Sequence, residues 1–126
     1  MDSAPDSGRR ILVVDDDPAI RALLRERLGL LGYETVEAEN GRIGSLGAID
    51  GTPVRPLHGV LLDMSMADAL TVLHTLRRQH PDIPIIVMSR ASDVHIAREA
   101  VNQGADEYVL KPFDQELLKA KCLRVF

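Results

Sequence analysis

ILVVDDDPAIR, residues 11–21, is the stretch that decides the fold. Four consecutive apolar residues run into three aspartates and then a proline. A short unbroken apolar run suits a strand buried on both faces, as in a parallel sheet. Pro18 fits the first position of a helix, where an N–H has no intrahelical partner in any case, and Asp17 before it offers a capping oxygen. Ile20, Leu23, Leu24, Leu28 and Leu31 then recur at helical spacing opposite Arg21, Arg25 and Glu26, and Gly32 marks a stop. The stretch therefore reads as strand, turn, helix. Its turn carries three adjacent carboxylates, which repel one another and need a reason to stand together.

The same unit recurs along the chain. Strands are predicted over 10–14, 33–38, 58–63, 83–89 and 106–110. Helices are predicted over 18–31, 40–49 (weakened by three glycines), 69–79, 93–102 and 114–126. Leu70, Leu73 and Leu76 are expected to face inward, Ser92 or Asp93 to cap the fourth helix, and Asp114 the fifth. Residues 50–56, DGTPVRP, form a loop on turn chemistry. Strands alternating with helices imply an α/β fold: a doubly wound parallel sheet of five βα units with helices on both faces. Residues 1–9 read as a flexible tail and 10–126 as one domain.

Composition narrows the function classes. The chain has 126 residues, 45% hydrophobic but only 3% aromatic, so aliphatic side chains must fill the core. A net charge of -4 argues against this domain holding nucleic acid by charge. No apolar run approaches the ~18 residues that a membrane span requires. Cys122 is the single cysteine, which excludes an intrachain disulfide and favours a reducing, cytoplasmic setting. Cys122 reads as a core or interface residue. His58, His74, His80 and His95 show no ligand spacing.

In doubly wound sheets, ligands bind beyond the carboxyl ends of the strands, where the strand order reverses. The residues placed there are Asp15, Asp16 and Asp17 after the first strand, Asp63 at the end of the third, Ser89 after the fourth and Lys111, followed by Pro112, after the fifth. With Asp17 capping a helix, Asp15, Asp16 and Asp63 make an acidic pocket that a divalent cation would neutralise. An all-oxygen donor set favours Mg²⁺. A cation, a lysine, a hydroxyl and a carboxylate together suit phosphoryl transfer, with a carboxylate as acceptor.

The motifs ILVVDDDPAIR, VLLDM, IIVMS and GADEYVLKPF, in this order, resemble the receiver domain of two-component response regulators over roughly residues 10–124. The resemblance implies a flavodoxin-like (βα)5 sheet with strand order 2-1-3-4-5. It implies that Asp63 accepts the phosphoryl group from a histidine kinase or a histidine phosphotransfer protein. Asp16 is then the direct Mg²⁺ ligand, Asp15 acts mainly through water, and the backbone carbonyl of Ser65 completes the site. Ser89 and Tyr108 correspond to the switch pair and Lys111 to the lysine that contacts the phosphoryl group. The Lys111–Pro112 bond is expected to be cis. Output would pass through the face of the fourth helix, fifth strand and fifth helix (the family's α4-β5-α5 face), to a partner, an output domain or a second copy as a homodimer.

Three departures from the family pattern stand out. Ala67 replaces a proline, the following glycine is absent, and the loop after Asp63 is about two residues short, which alters its turns and the placement of the Ser65 carbonyl. Arg90 replaces a small residue after Ser89; its cation can cover the site, pair with an acidic neighbour or obstruct a partner. GAIDGTPVRPLHG lengthens a connection away from the site. Two other readings follow. One is a receiver-like interaction module that is never phosphorylated. The other is a haloacid-dehalogenase-type phosphatase with Asp15 as nucleophile and Asp17 as acid/base, although Ala19 departs from that motif and the chain is short for it.

Overall fold

The computed structural model describes residues 8–40 and 56–126. The predicted tail, except residues 8 and 9, lies outside the described residues. So do nearly all of the predicted helix 40–49 and loop 50–56, and most of the long connection. The described elements are β1 (Arg10–Val14), α1 (Pro18–Leu30), β2 (Glu34–Ala38), β3 (Gly59–Asp63), α2 (Ala69–Gln79), β4 (Ile85–Arg90), a single 3₁₀ turn (Ala91–Asp93), α3 (Val94–Asn102), β5 (Glu107–Lys111) and α4 (Gln115–Val125). The fourth and fifth predicted helices are thus α3 and α4.

All strand pairs are parallel, and the order is β2-β1-β3-β4-β5, as expected. The apolar runs are buried on both faces, so alternate residues of one strand enter different cores. Leu12 and Val14 pack with Leu73, Leu76, Ala97 and Ala100, beneath α2 and α3. Ile11 and Val13 pack with Leu24, Leu28, Leu118 and Cys122, beneath α1 and α4. Each large aliphatic side chain so buried contributes about 1.5–3 kcal/mol, which is how the core forms with few aromatics. No helix among the described residues is long and apolar enough to cross a membrane.

The helix ends follow local chemistry in most places. The Asp17 carboxylate accepts from the Ala19 N–H at 2.9 Å, and the Asp114 carboxylate from the Leu117 N–H at 2.9 Å. Gly32 takes φ 89 at the end of α1, a conformation costly for other residues.

Two expectations are corrected. α3 has no side-chain cap: the Asp93 carboxylate is taken by Arg90, and the 3₁₀ turn leads into the helix instead. Leu70 is 39% exposed, unlike Leu73 and Leu76. Ala69 and Val72 are also buried, and at 100° per residue they centre the stripe roughly 110° away from Leu70.

Candidate phosphoryl and metal site

Strand order places the site. β1 leads through α1 to β2 on one side, whereas β3 pairs on the other side of β1, so the carboxyl ends of β1 and β3 flank the crevice where direction reverses. Asp63 ends β3, and Asp15 and Asp16 follow β1 directly. Ser89 pairs in register with Leu110 and Arg90 with Lys111, which brings the β4 and β5 ends to the same edge.

Asp15 is fully buried, Asp63 is 1% exposed and Ser89 2%. One carboxylate oxygen each of Asp15, Asp16 and Asp63 lies within 4.8 Å of the others. Among the described residues, this is the group of acidic, imidazole or thiol side chains close enough to share a cation. Asp16 is its exposed member. The Lys111 Nζ lies 2.8 Å from Asp15 Oδ2 and 3.4 Å from Asp63 Oδ1. The Asp17 N–H donates to Asp15 Oδ1 at 2.9 Å. Burial pushes the Asp15 carboxyl above its usual range. Lys111 and the Asp17 amide pull it back, and the charge of Asp63 adds to the rise.

Three carboxylates against one ammonium leave two negative charges in a largely buried space, all on oxygen. A divalent, oxygen-preferring cation fits that donor set. Zinc and copper favour nitrogen or sulfur ligands, which the group lacks.

The structure also shows what the remaining predicted residues do. The Ser65 N–H donates to Asp63 Oδ1 at 3.0 Å, and the Ser65 Oγ lies 2.9 and 2.8 Å from the two Asp63 oxygens. The side chain of Ser65 therefore covers Asp63, which its expected carbonyl role did not anticipate. Ser89 donates within its own loop, to the carbonyls of Arg90 at 3.2 Å and Asp93 at 3.5 Å. Arg90 pairs with the Asp93 carboxylate at 3.1 Å, so of its three expected roles it takes the acidic neighbour. Tyr108 is half-buried against the α2/α3 core. The Lys111–Pro112 bond is cis.

Three contacts of the candidate site residues go beyond the sequence reading. Arg21 reads as part of a solvated face, yet its guanidinium donates to the Asp15 carbonyl at 2.6 Å. The Nζ of Lys121, a residue not singled out from the sequence, stands 4.7 Å from the Tyr108 ring centroid and donates to the Tyr108 carbonyl. The Ser65 hydroxyl could have been suspected from its place two residues after an aspartate, where short polar side chains bond locally.

Comparisons with known proteins agree with this geometry. The family model for the response regulator receiver domain matches residues 11–123. The DNA-binding dual master transcriptional regulator RpaA of Synechocystis sp. is 34% identical over 116 residues, covering 89% of this chain and 46% of RpaA. Regulatory protein AtoC of Escherichia coli is 37% identical over 111 residues, covering 86% of this chain and 23% of AtoC. The chain thus spans about half the length of RpaA and less of AtoC. The crystal structure of the receiver domain of NtrX from Brucella abortus superposes with TM-score 0.78 at 31% identity, covering 90% of this chain and 95% of that one.

Proposed function

The chain belongs to the response regulator receiver domain family, and on that premise we propose that it is a phosphorylation-driven switch with Asp63 as phospho-acceptor. Receiver domains act as signalling switches, interact with histidine kinases and bind Mg²⁺ at an acidic pocket. The observation that carries the proposal for this chain is the convergence of Asp15, Asp16 and Lys111 on the buried Asp63.

Asp15, Asp16 and Asp63 would hold Mg²⁺, which when bound would supply positive charge to the oxygens of the transferring group. An Asp63 carboxylate oxygen attacks phosphorus while the bond to the donor's histidine nitrogen breaks. Lys111, already 3.4 Å from Asp63, pairs with the added dianion. Ser89 turns its hydroxyl from the Arg90 and Asp93 carbonyls to a phosphoryl oxygen. Those carbonyls then lose their donor, and the 3₁₀ turn between β4 and α3 is released. Tyr108 lies opposite Val87 on the neighbouring strand, so its ring shares the core that the moving loop borders. A changed α3-β5-α4 face is what a partner, an output domain or a second copy would read. The name of RpaA records DNA binding for that protein. Here, with a net charge of -4, output passes through protein contacts rather than through nucleic acid held by this domain.

Incubation with acetyl phosphate and Mg²⁺, followed by intact mass, tests the proposal. One phosphoryl group is expected on wild type and none on Asp63→Asn; a gain on both, or on neither, contradicts it.

A second reading, an unphosphorylated interaction module, draws on the Ser65 hydroxyl covering both Asp63 oxygens and on Lys111 lying nearer Asp15 than Asp63. It expects no Mg²⁺-dependent thermal shift with beryllofluoride. The phosphatase reading loses support because Asp17, its acid/base, is spent capping α1.

A further inference from the structure

Resting on the reading of the pocket as a Mg²⁺ site, we infer that Arg21 is a positioning residue for that cation: it locks the peptide joining Asp15 to Asp16 and so sets where the Asp16 carboxylate stands. The Asp15 carbonyl and the Asp16 N–H share one rigid peptide plane. Arg21 Nη1 donates to that carbonyl at 2.6 Å. In the preceding peptide the Asp15 N–H donates to the Ala38 carbonyl at 3.1 Å, and in the following one the Asp17 N–H donates to Asp15 Oδ1 at 2.9 Å. The peptides on either side are thus fixed, and the plane between them, from which the Asp16 side chain departs, is held at its carbonyl by Arg21.

The guanidinium is itself held. Its side chain is 16% exposed, and Nε lies 3.5 Å from Glu37 Oε1 on β2. The other oxygen of Glu37 accepts from Arg25 Nη1 at 2.6 Å. Glu37 pairs in register with Val13, two residues before Asp15. One planar fork thus links α1, the β1–α1 turn and β2, a geometry that a lysine ammonium cannot reproduce in full. Groups that orient metal ligands without touching the metal typically govern affinity by 10–100-fold.

The sign of the effect separates positioning from charge. Arg21 is a cation near an acidic pocket, so if only its charge mattered, removing it would tighten Mg²⁺ binding. Positioning requires the opposite.

The experiment is calorimetric titration of the full chain with MgCl₂, with the Asp16 amide followed by NMR, on wild type and Arg21→Ala, Arg21→Lys, Arg25→Ala and Asp16→Asn. Arg21→Ala is expected to weaken binding ~10-fold or more. Arg21→Lys is expected to recover part of the loss. Arg25→Ala, which breaks the same Glu37 network without touching the Asp15 carbonyl, is expected to stay within ~2-fold of wild type. Should Arg21→Ala not fold, Arg21→Lys carries the test, with weakened affinity and a displaced Asp16 amide signal expected. Unchanged or tighter binding in the Arg21 variants, or equal weakening in Arg25→Ala, overturns the inference. Absence of Mg²⁺ binding by wild type, or undiminished binding by Asp16→Asn, overturns instead the reading of the pocket on which it rests.

Discussion

Replacing Lys111 by methionine removes the ammonium that stands 2.8 Å from Asp15 and 3.4 Å from Asp63, both almost wholly buried. Breaking a buried pair by deleting one partner typically costs 3–5 kcal/mol, because the remaining charge is left uncompensated. The pocket has one escape, which is to take up a proton. From the ordinary Asp value of 3.8, protonation at pH 7 costs at most about 4 kcal/mol, and less for Asp15, which burial already raises. The expected loss at pH 7 without divalent cation is therefore about 3–4 kcal/mol. Removal of the cation raises the folded-state carboxyl pKa further above the unfolded value. The variant is thus nearest wild type below the unfolded value and falls behind as pH rises toward the folded one, by up to ~1.4 kcal/mol per unit. Mg²⁺ stabilises both proteins, by about 2.7 kcal/mol at 100 times its Kd, and narrows the difference because the variant's pocket, with one cation fewer, binds it more tightly. Urea unfolding followed by circular dichroism at pH 5, 6 and 7, in EDTA and in Mg²⁺, measures all of this. A Lys111→Met variant within ~1 kcal/mol of wild type at pH 7 in EDTA would refute the claim that the ammonium neutralises a buried acidic pair.

Other outcomes follow from the same structure. Burial pushes the Cys122 thiol from 9.0 up to about 12, so folding favours the protonated thiol, and its contribution is lost as pH rises from about 9 toward 12. The stability deficit of Cys122→Ala relative to wild type should shrink by about 1.6 kcal/mol between pH 9 and 10.5 in urea titrations; a constant deficit contradicts this. A Cβ added at Gly59 would stand 2.5 Å from the Phe126 ring. Gly59→Ala should therefore cost ~1–3 kcal/mol, and much less when paired with Phe126→Ala, in a double-mutant thermal series. Additive losses would show that the cost at Gly59 does not come from the Phe126 ring.

Much of the fold could be read from the chain because its strands are continuous apolar runs ending in polar residues. The predicted β1 and α2 coincide with the observed elements, Arg10–Val14 and Ala69–Gln79. The strand ends carried the site for the same reason: Asp15, Asp16, Asp63, Ser89 and Lys111 are the polar interruptions of those runs, and parallel topology gathers them at one edge. What sequence missed depends on where long side chains reach. Leu70 satisfies a helical period with Leu73 yet lies off the stripe that Ala69 and Val72 centre. Arg77 looks like a solvated residue of the last turn of α2. It instead donates to the carbonyls of Gly104, Pro81 and Ile83, tying the start of β4 to the turn before β5. Arg21 and Lys121 are the same case at the site: a guanidinium or ammonium reaches a backbone carbonyl six or thirteen residues back in the chain, and neither a helical nor a strand period encodes that reach.

The most direct measurement of the central claim is the identity of the aspartate that takes the phosphoryl group. After treatment with acetyl phosphate and Mg²⁺, borohydride reduction converts an aspartyl phosphate to homoserine, which tandem mass spectrometry locates. Homoserine at position 63, dependent on Mg²⁺, is expected; homoserine at position 15, or none at either position, contradicts the account.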